Sequence, residues 1–143
     1  MKITVVGDGG WGSALAMVLD RNGHEVAVWG PFFEYIDEIR IFKENVNYLP
    51  GVKLSGSISW TADHEVAVDG AGMVVFVVPS RYYKATVEAF KPFITDNMLV
   101  VSATKGLDES THERMSQVAE EILGRDVAVL SGPSHAEEVA RGV

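Results

Sequence analysis

The 143-residue sequence contains no cysteine. Disulfides, thiolate metal sites and a cysteine nucleophile are excluded at once. Cations are scarce: 12 Lys and Arg stand against 20 Asp and Glu, a formal net charge of −8. Bulk binding to nucleic acid or to an anionic membrane needs a basic face, and this balance argues against both. An anionic ligand must instead be held by local dipoles and a few placed cations. Long apolar runs are also missing. The run from Met73 to Pro79 falls far short of the ~20 residues that cross a bilayer. The chain enters the pattern Ile3-Thr4-Val5-Val6 with no charged leader or cleavage site, so a soluble, cytoplasmic protein is expected. There is no internal repeat and no low-complexity tract. The remaining composition, 47% apolar and 22% charged, is that of one globular domain with a real core.

Short apolar runs alternate with stretches of helical period. Ile3–Val6 is a β-branched strand run ended by Gly7. Trp11, Leu15, Val18 and Leu19 follow at helical spacing, closed by Asn22-Gly23. Val26–Trp29 is a second strand, stopped by Gly30-Pro31, and 34–44 is a helix. The stretch 45–56 is expected as a loop, with turn residues at Pro50-Gly51 and Gly56. Ile58–Trp60 is a short strand, and Thr61 is a candidate cap for a helix reaching Val68. Met73–Val78 is continuously apolar, the pattern of a strand buried on both faces of a parallel sheet. A helix over 82–90, a strand over 98–102, a helix to Leu123 and a strand over 127–130 complete the alternation. Ser110 with Glu113, and Ser134 with Glu137, have capping-box spacing, the second pair before a helix over 136–140. This order predicts an α/β fold of Rossmann type. Its doubly wound, mostly parallel sheet would carry helices on both faces and bind ligands beyond the carboxyl ends of its strands.

The strongest motif is Gly7-x-Gly9-x-x-Gly12, placed between a predicted strand and a predicted helix. The first glycine permits the tight turn, the second admits a diphosphate to the backbone, and the third lets helix and strand pack closely. Free N–H groups and the positive end of the helix dipole then face the phosphates. Asp8 puts a carboxylate inside this loop, where it would repel a diphosphate unless its side chain points away. At the end of the second strand, Trp29-Gly30-Pro31-Phe32-Phe33 offers neither the acid that bonds a ribose 2′-hydroxyl nor the Arg that suits a 2′-phosphate. Phe32 or Phe33 can stack on an adenine or simply cap the next helix, so the choice between NAD and NADP stays open. Lys105 follows a buried strand and is either a ligand-facing cation or a solvated one. Ser131–Ser134 again joins a strand to a helix, as an anion site or a plain cap. His24, His64, His112 and His135 have no metal-ligand spacing, so packing or surface roles and no metal are expected. Glu137-Glu138 is expected to be a solvated face.

Several segments taken together resemble the N-terminal part of bacterial-type NAD(P)-dependent glycerol-3-phosphate dehydrogenases. They are Gly7-Asp8-Gly9-Gly10-Trp11-Gly12-Ser13-Ala14-Leu15-Ala16, Asn22–Val26, Glu44-Asn45-Val46-Asn47-Tyr48-Leu49-Pro50-Gly51, Val77–Ser80, Ala103-Thr104-Lys105-Gly106-Leu107 and Leu130–Val139. The resemblance implies an oxidoreductase that interconverts dihydroxyacetone phosphate and sn-glycerol 3-phosphate with NAD or NADP, supplying glycerophospholipid synthesis. It implies cofactor contacts at Gly7, Gly9, Gly10, Trp11, Gly12, Pro31, Phe32, Lys105 and Ala136, and substrate contacts at Lys105, Gly132 and Ser134. Three departures stand out: Asp8 replaces a small neutral residue, Gly10 replaces Ser, and no basic residue lies near Pro31 or Phe32.

Such enzymes are much longer, and a helical second domain supplies their general acid/base Lys. Residues 1–143 are therefore expected to be the NAD(P)-binding domain without catalytic residues of its own. Its sheet would lack its final strands and expose an edge. A homodimer is possible for the whole enzyme. The alternatives are another two-domain dehydrogenase of a small hydroxy or oxo acid, or a non-catalytic nucleotide-binding module.

Overall fold

The computed structural model describes residues 1–132 and 134–142. Pro133 and Val143 lie outside the described residues. The elements are β1 (Lys2–Val6), α1 (Gly10–Arg21), β2 (Glu25–Trp29), α2 (Phe33–Phe42), β3 (Glu44–Asn45), β4 (Leu49–Lys53), β5 (Ser59–Thr61) and α3 (His64–Val68). They continue as β6 (Met73–Phe76), α4 (Ser80–Phe90), β7 (Leu99–Ser102), α5 (Met115–Leu123), β8 (Ala128–Val129) and α6 (Ala136–Arg141). Six strands form one sheet in the order β5-β2-β1-β6-β7-β8, with every pairing parallel. Counted within this sheet, that is the 3-2-1-4-5-6 order of doubly wound folds. The chain reverses direction across the sheet between β1 and β6, and the carboxyl ends of those strands flank a crevice.

The period-2 alternation of the central strands divides the core into layers. Val5 packs into a layer with Ala14, Met17, Ile36, Ile39, Trp60 and Ala140, beneath α1, α2 and α6. Its neighbour Val6 points the other way, into a layer with Phe76, Tyr83, Val87, Phe90, Met115 and Val118 beneath α4 and α5. Both faces of β1 and β6 are buried, which is why their sequences read as unbroken apolar runs. Tyr83 is fully buried, and its hydroxyl faces the Ser102 side chain without a well-formed hydrogen bond. Burial pushes this phenol up to about 12, the Ser102 side chain acting weakly in the opposite direction. A buried hydroxyl that gains little from hydrogen bonding contributes little to stability. Tyr83→Phe is therefore expected to match or exceed wild-type stability within about 1 kcal/mol in urea denaturation. A loss above about 2 kcal/mol would show that the hydroxyl is properly satisfied.

Four local expectations need correction. The stretch 45–56 is not a plain loop: β3 and β4 form an antiparallel hairpin whose Leu49, Val52 and Leu54 are buried. Burial of Leu49 and Val52 on either side of the exposed Pro50-Gly51 pair outweighs the turn chemistry there. Thr61 ends β5 rather than capping α3. The cap is Asp63, whose carboxylate accepts from the Val66 N–H at 2.9 Å. Ser110 and Glu113 do not cap α5. The Asp108 carboxylate accepts from the backbone N–H and hydroxyl groups of both Ser110 and Thr111. Those bonds tie 108–111 into a turn, and α5 begins only at Met115 with Gln117 Oε1 accepting from the Arg114 N–H at 2.9 Å. Finally, α6 has His135 at its N-cap with no side-chain cap bond, so Ser134 and Glu137 form no capping box.

Candidate functional site at the carboxyl edge of the sheet

The crevice is a cleft of about 1160 Å³. The segments following β1, β2, β6 and β7 line it, together with Ser134 and Ala136. Its floor is the glycine loop. Gly7 has φ 135°, and a Cβ there would lie 2.9 Å from Val77 Cγ2, so the turn is pressed against the chain leaving β6. A Cβ on Gly12 would lie 2.1 Å from the Gly7 carbonyl oxygen, so α1 and the turn are in direct backbone contact. Around Gly9 a Cβ would meet no described residue within 4 Å, and Gly9 lines the cleft. The middle glycine therefore clears space in front of α1, whereas the outer two close space behind it.

Gly9 is the N-cap of α1, and no side chain caps the helix. The first intrahelical bond runs from the Ser13 N–H to the Gly9 carbonyl at 3.0 Å. The N–H groups of the first turn consequently have no acceptor within the helix, and no acidic residue sits there to offset the dipole. An anion set before Gly9–Trp11 meets these donors directly.

The hairpin supports this loop through Asn45, which is fully buried. Asn45 Nδ2 donates to the Asp8 carbonyl at 2.7 Å and to Ser13 Oγ at 2.8 Å. Its Oδ1 accepts from the Tyr35 hydroxyl and from the Tyr48 N–H. One amide thus joins the glycine loop, α1, α2 and the hairpin. The Tyr48 carbonyl also closes over Gly10, where a Cβ would approach to 2.7 Å. That contact is a physical reason for glycine at position 10.

Asp8 points away from the front of α1. Its carboxylate packs on Gly30 at the end of β2 and is 8% exposed. Oδ2 is buried without a hydrogen-bond partner among the described residues. Burial raises its pKa above the usual carboxylate range, and a bond from its own backbone N–H partly opposes this. The expected clash with a diphosphate is avoided by this orientation.

The opposite wall carries the cations. Lys105, just beyond β7, lies 5.8 Å from the centre of the Trp11 ring and donates to Ser134 Oγ at 3.5 Å. Arg81 on α4 also lines the cleft, its guanidinium 4.8 Å from the Tyr82 ring centre. Gly7, Gly9, Gly10, Trp11, Gly12, Pro31, Phe32, Lys105, Ser134 and Ala136 all line one cleft. Phe32 lines it and is 67% exposed; Phe33, equally considered for stacking, is not among the described lining residues. Gly132, exposed with φ 138°, also stands outside that described lining. Sequence reasoning missed Tyr35, Glu38, Asn45 and Arg81. Asn45 and Tyr48 lay within the Glu44–Gly51 motif, but nothing local marked that motif as a support for the first loop. His64 lines the cleft and also packs at a tilt against Trp29 and Phe90, ring centres 4.9 and 4.7 Å away. No described helix is long and apolar enough to cross a membrane.

A parallel sheet in this order, with an open glycine loop and an uncapped helix at its switch point, defines a dinucleotide-binding α/β domain of the Rossmann class. The comparisons with known proteins narrow the class. The family model described as "NAD-dependent glycerol-3-phosphate dehydrogenase N-terminus" matches residues 2–143, and the chain belongs to that family. It is 50% identical over 143 residues to the glycerol-3-phosphate dehydrogenase [NAD(P)+] of Moorella thermoacetica, covering 99% of this chain and 42% of that protein. It is 45% identical over 142 residues to the enzyme of the same name from Bacillus cereus strain B4264, covering 96% of this chain and 42% of the other. Among solved structures, glycerol-3-phosphate dehydrogenase from Coxiella burnetii superimposes with a TM-score of 0.92 at 32% identity, covering 99% of this chain and 44% of that one. The chain spans less than half the length of the curated relatives it matches.

Proposed function

We propose that residues 1–143 form the cofactor-binding domain of an NAD(P)-dependent glycerol-3-phosphate dehydrogenase. The reaction is the interconversion of dihydroxyacetone phosphate and sn-glycerol 3-phosphate, a source of glycerophospholipid precursors in the cytoplasm. The observation that carries this reading is the uncapped α1 N-terminus behind the space at Gly9, in a chain of this family. When bound, the dinucleotide supplies the hydride that the carbonyl carbon accepts.

The chain's own residues bind and orient. Gly7, Gly9, Gly10, Trp11 and Gly12 shape the diphosphate seat. Pro31 and Phe32 border the adenosine end, and Ala136 lies beside Gly10 on the same cleft. The Lys105 ammonium, held between the Trp11 ring and Ser134 Oγ, offsets phosphate charge where cofactor and substrate meet. Gly132 and Ser134 complete the substrate side. The proton transfer falls to a Lys of a helical domain, and a homodimer is the proposed assembly of the whole enzyme.

Isothermal titration with NAD, NADH, NADP and NADPH tests the binding half. Saturable heat with at least one of them is expected, and no heat at millimolar nucleotide would refute the reading. A steady-state assay of the 143-residue chain with NADH and dihydroxyacetone phosphate is expected to show negligible turnover. Robust turnover would overturn the assignment of proton transfer to another domain.

A further inference from the structure

The end of β2 normally sorts NAD from NADP in this fold, through an acidic side chain that accepts a bond from the ribose 2′-hydroxyl. Here the strand ends at Trp29 and is followed by Gly30, which has no side chain to offer. The space that such a side chain would enter is nevertheless filled. A Cβ built on Gly30 falls 2.2 Å from Asp8 Oδ2 and 2.6 Å from Asp8 Cγ. The glycine loop has delivered a carboxylate to the position that the end of β2 leaves vacant.

Three observations give that carboxylate a role toward a ligand. It is more than nine-tenths buried, and its Oδ2 has no hydrogen-bond partner among the described residues, a costly state for a buried polar atom. It lines the cleft, on the side formed by the end of β2 and by α2. The charged lining residues beside it on that side are Glu34 and Glu38, whereas the lining cations Arg81 and Lys105 belong to the segments after β6 and β7. A hydroxyl donor entering the cleft on that side would give the carboxylate a partner. A 2′-phosphate would meet three carboxylates and no neighbouring cation among the described lining residues.

We propose that Asp8 is the specificity-determining residue of the dinucleotide site, accepting the adenosine ribose 2′-hydroxyl in place of an acid on β2 and thereby selecting NAD(H) over NADP(H). This rests on the dinucleotide reading above and adds the cofactor preference that the motifs left open. Gly30 is part of the same device, because any side chain there would displace the carboxylate.

The test is titration of wild type, Asp8→Ala and Asp8→Ala/Gly30→Asp with NADH, NADPH and the 2′-deoxyadenosine analogue of NADH, followed by calorimetry or tryptophan fluorescence. Wild type is expected to prefer NADH over NADPH by ~30-fold or more, and to lose ~10-fold on removal of the 2′-hydroxyl, from one charge-assisted bond and one repulsion. In Asp8→Ala the NADH and deoxy-NADH affinities should converge, and the preference should fall at least ~10-fold. The double variant should recover part of the preference by restoring an acid on β2. A merely structural role for Asp8 would weaken all three nucleotides alike. That pattern, or an unchanged NADH:NADPH ratio, overturns this assignment and leaves the dinucleotide site standing. Wild-type protein that bound none of the three would overturn the proposed function and this inference with it.

Discussion

Gly9→Val is expected to weaken dinucleotide binding by ~100-fold or more while removing only about 1 kcal/mol of stability. The two effects separate because no described residue occupies the space in front of Gly9. Its φ of −72° and ψ of −173° are open to any residue, so the backbone need not change. What the fold loses is the modest preference of an N-cap for glycine over valine. What the ligand loses is access. The valine methyls fill the approach to the first N–H groups of α1, and each charge-assisted bond forfeited is worth ~1.5–3 kcal/mol. Calorimetric titration and urea denaturation of one preparation measure both. Affinity within a few-fold of wild type would place the diphosphate elsewhere.

Gly12→Ala is expected to behave in the opposite way, costing about 3 kcal/mol of stability or more. The added methyl would stand 2.1 Å from the Gly7 carbonyl oxygen and 2.9 Å from Val77 Cγ2. The carbonyl is backbone and cannot swing aside like the end of a long side chain. The turn cannot retreat either, since Gly7 itself already lies against Val77 and Val78. Moving α1 outward instead would open its packing on the sheet, where Ala14 and Ala16 are fully buried. For a domain held by ~5–15 kcal/mol, such a loss populates the unfolded state measurably near body temperature. Denaturation midpoints decide the matter, and a cost below about 1 kcal/mol would mean that loop and helix are less tightly joined than described.

Much of this organisation could be read from residue order. The run at 73–78 announced a strand covered on both faces, and β6 is indeed central to the sheet. The Gly7–Gly12 spacing located the loop, because glycine there answers to local sterics that any chain must obey. Where reading failed, the controlling interaction was remote. The hairpin of 44–53 was hidden because Pro50-Gly51 speaks for a turn, while the burial of Leu49 and Val52 depends on α1 and α6 packing nearby. Ser110 has the right spacing for a cap, but the Asp108 carboxylate, held down to about 2 by bonds from the Ser110 and Thr111 side chains and backbone, claims it for a turn.

The site divides along the same line. Its glycines and Lys105 were visible because each follows a strand directly. Asn45 was not singled out, since its four partners come from Asp8, Ser13, Tyr35 and Tyr48, a set that only tertiary structure assembles. Asp8 looked like an obstacle in the sequence for a similar reason. Which way a loop carboxylate turns depends on whether the facing strand leaves room, and Gly30 leaves it.

Amide chemical shifts of ¹⁵N-labelled protein during titration with NADH test the placement of the diphosphate most directly. The N–H signals of Gly10, Trp11 and Gly12 should move furthest and saturate together, with the Lys105 signal following the same isotherm. Saturable binding that left those three amides unmoved would contradict the account, whatever the affinity.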